Sequence, residues 1–257
     1  MKKNIHFFGC SFTVGQELPD QDIFPWIHDC KNQSEYYSKF GFQDIILLDD
    51  YIQECKKLSY PSIIHNFDNT YNCINHAEIG SSLKNEIYKT MQLIESKQTD
   101  VDFVIFQIPG YEREMIMTND NNRLNNYVLH NLIPTPDNTD ISFFLKDTIN
   151  KDELAEYAKY KLLSHSPMHW QFHGQIELML FQGYLESKNI PSIFVQLDFI
   201  NNRFDENMRS YFNNTAEIFK VSDYFTGKKL PGNHFDRESH AEFAKYIKML
   251  IDDKLTH

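Results

Sequence analysis

Positive charge is scarce in this sequence: Lys and Arg total 25 against 36 Asp and Glu, a formal charge of 25 − 36 = −11 at pH 7. A surface this acidic repels phosphate backbones and anionic headgroups, so nucleic acid and membrane surfaces are excluded as expected partners. Cysteine is scarce too. The four residues Cys10, Cys30, Cys55 and Cys73 include no C-x-x-C pair, too few for a disulfide scaffold and wrongly spaced for a structural zinc site. A reducing compartment is the default for such a chain. Long hydrophobic runs are missing as well: no window approaches the roughly eighteen apolar residues of a membrane span, and the mean hydropathy is −0.51. The opening Met1-Lys2-Lys3 has the form of a signal-peptide start, but His6, Gly9 and Ser11 interrupt the apolar stretch after it and no small-residue cleavage site appears. The expected location is cytoplasmic, a setting that also accommodates a virus-particle protein.

What is present suits one sizeable domain, with 41% hydrophobic residues over 257 positions. The run Asn4 to Phe8 is short, aromatic and β-branched and stops at Gly9-Cys10-Ser11, which reads as a buried strand entering a tight turn. Similar runs lie at 71–75, 101–108 and 191–197, with a weaker one at 217–221. Between them, Leu83, Ile87, Met91 and Ile94 form one helical stripe within 82–96, with Ser82 in position to cap it. Further helices are expected at 43–57, 151–163, from Pro167 to about Lys188, and from about Arg237 to Asp253. Strands alternating with helices predict βαβ units and a parallel sheet covered on both faces. The predicted fold is a single three-layer α/β/α domain of flavodoxin-like type over 1–257, with a five-stranded parallel sheet and insertions at about 16–60 and 118–150.

The turn at Ser11 places a hydroxyl at the carboxyl end of the first strand, where open α/β sheets bind ligands. A serine there can be a nucleophile given a base and oxyanion donors, although an isolated serine after a strand is more often a helix cap. Phosphate-binding readings fail on spacing: Gly9 and Gly15 are followed by no Lys, and there is no G-x-G-x-x-G. No cofactor and no metal are implied.

Gly9-Cys10-Ser11-Phe12-Thr13 resembles the first block, G-D-S-x-T, of the SGNH (GDSL-type) hydrolases. Asn75-His76-Ala77-Glu78-Ile79-Gly80-Ser81-Ser82 is similar to that family's second block, and Gly232 to His240 is similar to its last, in which a catalytic His precedes the final helix. The resemblance implies Ser11 as nucleophile, His234 as general base, and the N–H groups of Ser11 and Gly80 as oxyanion donors. It further implies hydrolysis of a carboxylic ester in a small molecule or glycan, an acetyl group on a carbohydrate being the leading case.

The chain departs from that family in two places. Where the family carries Asp two or three residues before the His, this chain has Gly232 and Pro231. The acid is left to Asp198 or Asp223, or Ser11 and His234 work as a dyad with a backbone carbonyl holding the ring; the dyad is the expectation. The third block reads Gln107-Ile108-Pro109-Gly110-Tyr111-Glu112-Arg113, without the usual Asn. Gln107 could donate to the oxyanion or make a buried hydrogen bond, the latter being more common, and Arg113 could bind a substrate carboxylate or sugar hydroxyl or pair with a nearby acid.

Other signals compete. Cys10 is the better intrinsic nucleophile, but strand alternation turns it away from the face of Ser11, where it packs as a small hydrophobe. His165, His169 and His173 are spaced by four, yet Pro167 puts His165 outside the helix and leaves only a pair. His240 is expected to hydrogen-bond structurally. The aromatics Phe24, Trp26, Tyr36 and Tyr37 read as core before they read as a sugar platform. Two functions stand beside hydrolysis: acyl transfer to a sugar hydroxyl by the same Ser–His pair, and a degenerate module that binds glycans without turning them over.

Overall fold

The computed structural model describes residues 2–19, 49–67, 69–109, 114–119, 127–132, 156, 167–196, 216–220, 230 and 234–256. Five strands form one parallel sheet: β1 (Lys3–Phe8), β2 (Tyr71–Asn75), β3 (Phe103–Ile108), β6 (Ser192–Gln196) and β7 (Ala216–Lys220). Their order in space is β2-β1-β3-β6-β7, so the chain first moves outward on one side of β1 and then returns to build the other. That reversal makes the carboxyl end of β1 a switch point, the place where such sheets open a crevice.

The sheet is buried on both faces because its strands carry apolar residues at odd and even positions alike. Ile5, Phe7, Phe103, Ile105, Ile193 and Val195 point to one side, where α3 (Tyr60–Phe67) and α6 (Arg237–Thr256) cover them with Tyr60, Ile64, Phe243 and Ile247. Phe8, Val104, Phe106, Ile108 and Phe194 point to the other, under α4 (Leu83–Ser96) and α5 (Pro167–Ser187), which contribute Leu83, Leu178, Phe181 and Leu185. The result is the expected three-layer α/β/α fold. Each large ring closed from water in these layers contributes about 1.5–3 kcal/mol.

Local chemistry sets the element boundaries. Ser82 caps α4 as its position predicts, accepting the Asn85 N–H at 3.3 Å. α5 is described from Pro167, the proline expected in its first turn, and His165 lies outside the described residues. Ser11–Val14 forms a four-residue helix, α1, closed by Gly15 in the left-handed region at φ 83°.

Two features differ from the sequence expectation. The segment read as a helix over 43–57 is described as α2 (Asp49–Leu58), and α3 begins almost at once, with Ser59 between them donating its hydroxyl back to the Lys56 carbonyl at 2.7 Å. β4 (Glu114–Asn119) and β5 (Tyr127–Leu132) pair antiparallel as a separate two-stranded ladder directly after β3, partly within the region assigned to an insertion. Its mixed polar sequence lacks a clean period of two, so only pairing in space reveals it. The helix expected at 151–163, apart from residue 156, and Phe24, Trp26, Tyr36 and Tyr37 lie outside the described residues.

Candidate active site

The first block folds as a backbone hook. Gly9 leaves β1 at φ 151°, and a Cβ built there would meet Gln107 Cβ and Oε1 at 2.7 Å and Thr13 Oγ1 at 2.8 Å. Only glycine fits between those groups. Cys10 occupies the N-cap position of α1 with no side-chain cap bond, and Ser11 is the first helical residue. Ser11 is therefore not a cap, which removes the common structural explanation for a serine at this turn. Its Oγ donates to Cys10 Sγ at 4.0 Å, and Ser11 is partly exposed.

Gln107 secures the hook from β3. Its Oε1 accepts the Cys10 N–H at 2.8 Å and its Nε2 donates to the Ile108 carbonyl at 2.7 Å, with the side chain fully buried. The geometry gives Gln107 a buried hydrogen-bonding role at the base of the hook, with one of its two amide N–H groups committed at the end of β3. Cys10 is 2% exposed and packs in the core under α6, as strand alternation predicts.

The second block docks on the first through its backbone. The Glu78 N–H donates to the Gly9 carbonyl at 3.1 Å, the His76 N–H donates to the Phe7 carbonyl at 2.8 Å, and Asn75 Nδ2 donates to the Thr13 carbonyl at 2.7 Å. Gly80 sits at φ 75°, a region that side chains with a Cβ rarely enter. Among the described residues neither its N–H nor that of Ser11 donates to another group of the protein.

The last block closes the site from the far end of the sequence. Arg237 donates through Nε and a terminal nitrogen to the Leu18 carbonyl, at 3.2 and 3.0 Å. Phe235 stands edge-on to Phe12 with centroids 5.4 Å apart. These contacts bring His234 against the turn after α1, where its Nδ1 lies 3.2 Å from Glu17 Oε1. The approach is that of an ion pair and is not aligned as a hydrogen bond. Glu17 is fully buried at φ 74°, and the His234 side chain is 13% exposed. Beside the expected dyad with a backbone carbonyl holding the ring, a glutamate absent from the sequence-based candidates faces the ring nitrogen opposite the one a base would use. Its signal in the sequence is weak, a single acid six residues after Ser11 in an otherwise buried turn.

Asp198, Asp223 and Arg113 lie outside the described residues. His240 is a structural residue as expected, its Nδ1 accepting the Tyr60 N–H at 3.2 Å and its ring 4.9 Å from Phe12. Complete burial, together with the charge of His234, pushes its pKa down to about 3, so it is a neutral ring. His173 is exposed on α5, and among the described residues no three His, Cys, Asp or Glu side chains gather to hold a metal ion. No helix among the described residues is long and apolar enough to cross a membrane.

No family model matches the chain, and no curated protein matches it in sequence. Solved structures are similar in fold. One crystal structure aligns over 100% of both chains at 8% identity with a TM-score of 0.50. The psychrotrophic esterase EstA from Pseudoalteromonas sp., in a form inhibited by monoethylphosphonate, aligns over 100% of both chains at 9% identity and a TM-score of 0.48. The acetyl xylan esterase Est2A from the rumen bacterium Butyrivibrio proteoclasticus aligns at 13% identity and a TM-score of 0.50, over 99% of this chain and 64% of its own. At such identities the likeness to the structures with a TM-score of 0.50 shows a shared α/β fold and nothing more.

Proposed function

We propose that this chain is a serine ester hydrolase of the SGNH type, with Ser11 as nucleophile, His234 as general base and Glu17 as the acid that orients the base. The observation that carries the reading is the buried Glu17 carboxylate 3.2 Å from His234 Nδ1, on the turn that begins at Ser11. Two residues more than two hundred positions apart meet there, on the turn that follows the short helix carrying Ser11.

In this reading His234 Nε2 takes the Ser11 proton as Oγ attacks the ester carbonyl, and Glu17 stabilises the imidazolium that forms. The N–H groups of Ser11 and Gly80 hold the oxyanion, and removing one such donor costs roughly a hundredfold or more in rate. The intermediate collapses with the proton passing from His234 to the leaving alcohol. A water that gives its proton to His234 then attacks the acyl-enzyme, and Ser11 recovers its proton as the acid leaves. No metal ion or organic cofactor enters these steps. We read residues 1–257 as one domain acting on a small-molecule or glycan ester, with Arg113 as anchor for its polar part and no nucleic acid or membrane partner. The fold shared with an enzyme named for acetyl xylan makes O-acetylated carbohydrates the first substrates to assay.

The test is release of p-nitrophenol from p-nitrophenyl acetate, and of acetate from acetylated xylan, by the wild type, Ser11→Ala and His234→Ala. Loss of both activities in both folded variants supports the reading. Turnover that survives in Ser11→Ala overturns it.

A further inference from the structure

Two turns must hold a common geometry for the proposed chemistry, the one carrying Ser11 and the one carrying Gly80. A single side chain touches both. Glu86 sits one turn into α4 and is fully buried. Its Oε2 accepts the Gly9 N–H at 3.0 Å, and its Oε1 accepts the Ser81 hydroxyl and the Lys89 ammonium, the latter at 3.0 Å. Lys89 reaches on to the His76 carbonyl at 2.9 Å and to Glu78 at 3.1 Å, while Ser81 Oγ accepts from Asn85 Nδ2 at 3.1 Å. The carboxylate is thus the hub between the hook after β1 and the loop after β2.

We propose that Glu86 is a positioning residue for ester hydrolysis: one carboxylate locks the Gly9 turn to the Ser81 turn so that the Ser11 hydroxyl and the Gly80 N–H address the same carbonyl. The inference rests on the hydrolase reading above. Glu86 does not touch substrate. A carboxylate suits the task because three donors converge on two oxygens, which an ionised group satisfies without competition. A neutral acid brings a proton of its own, and one of the donors must then let go.

The charged groups that face it explain when it is ionised. Burial pushes the Glu86 carboxyl up to about 7, Lys89 and the Ser81 hydroxyl pull it down, and Glu78 pushes it up. Lys56 of α2, whose Nζ donates to the Asn75 carbonyl, adds a positive field. His76 adds no charge, because burial and the nearby His6, Lys89 and Lys56 hold its pKa down at about 4. The Gly9 turn supplies only a backbone N–H. Ser11 reactivity should therefore fall with acid as Glu86 takes up its proton.

The test measures the rate at which a fluorophosphonate labels Ser11 in the full-length protein from pH 5.5 to 9, located by peptide mass spectrometry. Thermal unfolding is followed on the same samples. Glu86→Gln should label about twentyfold or more slowly at pH 8, lose from the acid limb the component that Glu86 supplies, and raise the KM for p-nitrophenyl acetate less than it lowers kcat. Its melting temperature supplies a readout independent of activity. A buried acid with a raised pKa stabilises the fold only while protonated, so the wild type should gain on Glu86→Gln as pH falls from 8 to 5. Ser81→Ala, which keeps the Gly9 bond, should label severalfold more slowly and covers the case in which Glu86→Gln does not fold. Wild-type labelling rates and an unchanged acid limb in the folded variant overturn the inference. A wild type that is never labelled at Ser11 overturns the hydrolase reading first, and the inference with it.

Discussion

Glu17 Oε1 stands 3.2 Å from His234 Nδ1, on the side of the ring opposite the nitrogen that takes the Ser11 proton in the proposed reaction. Removing the negative charge while keeping the shape isolates its contribution. Glu17→Gln should lower kcat/KM for p-nitrophenyl acetate by about 10²- to 10⁴-fold, the range in which the acid of a Ser-His-acid triad works. Far-UV and near-UV circular dichroism should match the wild type. An unchanged kcat/KM returns the acid to Asp198 or Asp223.

Gly80 combines φ 75° with an N–H that has no acceptor among the described residues. An alanine there strains the backbone by roughly 1–2 kcal/mol and swings the N–H away from its present direction. Gly80→Ala should cost about tenfold to a hundredfold in kcat, with a smaller effect on KM. Steady-state kinetics on the ester reads both.

At Gly9 the limit is space rather than donor direction. The added Cβ of Gly9→Ala would lie 2.7 Å from Gln107 Cβ, in a β3 residue that is itself fully buried. Neither partner can move without breaking the Cys10 N–H bond to Gln107 or the Glu86 bond to Gly9. Urea unfolding should show a loss of about 2–4 kcal/mol; a loss below about 1 kcal/mol would mean that the hook yields to the extra carbon.

Acid should destabilise the fold through its histidines. Burial lowers the pKa of His6, of His76 to about 4 and of His240 to about 3. A histidine lowered in the folded state binds its proton first in the unfolded chain, so its contribution is complete above about pH 6.5 and is lost as pH falls below that value. For the fully buried His240, the drop from pH 7 to pH 5 is about 2 kcal/mol, set by titration of the unfolded ring. Glu86 acts with the opposite sign over the same interval and offsets one ring. His240→Asn, which keeps an acceptor for the Tyr60 N–H, should unfold in urea with a flatter pH dependence between 7 and 5 than the wild type. Equal slopes would show that the ring is charged in the fold.

Much of this is legible in the sequence because it is local. The strand at Asn4 to Phe8 and its glycine hook, the Ser82 cap and the proline that opens α5 each depend on neighbours a few residues away, so short patterns announce them. Ser11, Gly80 and His234 stand out in the same way. Glu17 does not, because its meaning comes from burial against a residue more than two hundred positions downstream, and because residues from 16 onward have the composition of an insertion. Glu86 is hidden for a related reason: on the α4 stripe it looks like a solvated helical acid, and only the approach of Gly9 from β1 shows otherwise. The β4–β5 ladder escapes notice because its alternation is blurred by Asn, Thr and His.

Arg237 and Leu18 tie the final helix to the turn behind Ser11 across 219 positions. Arg237 follows His234 by three residues, so undocking of α6 would carry the proposed base away from the turn behind the proposed nucleophile without altering either side chain.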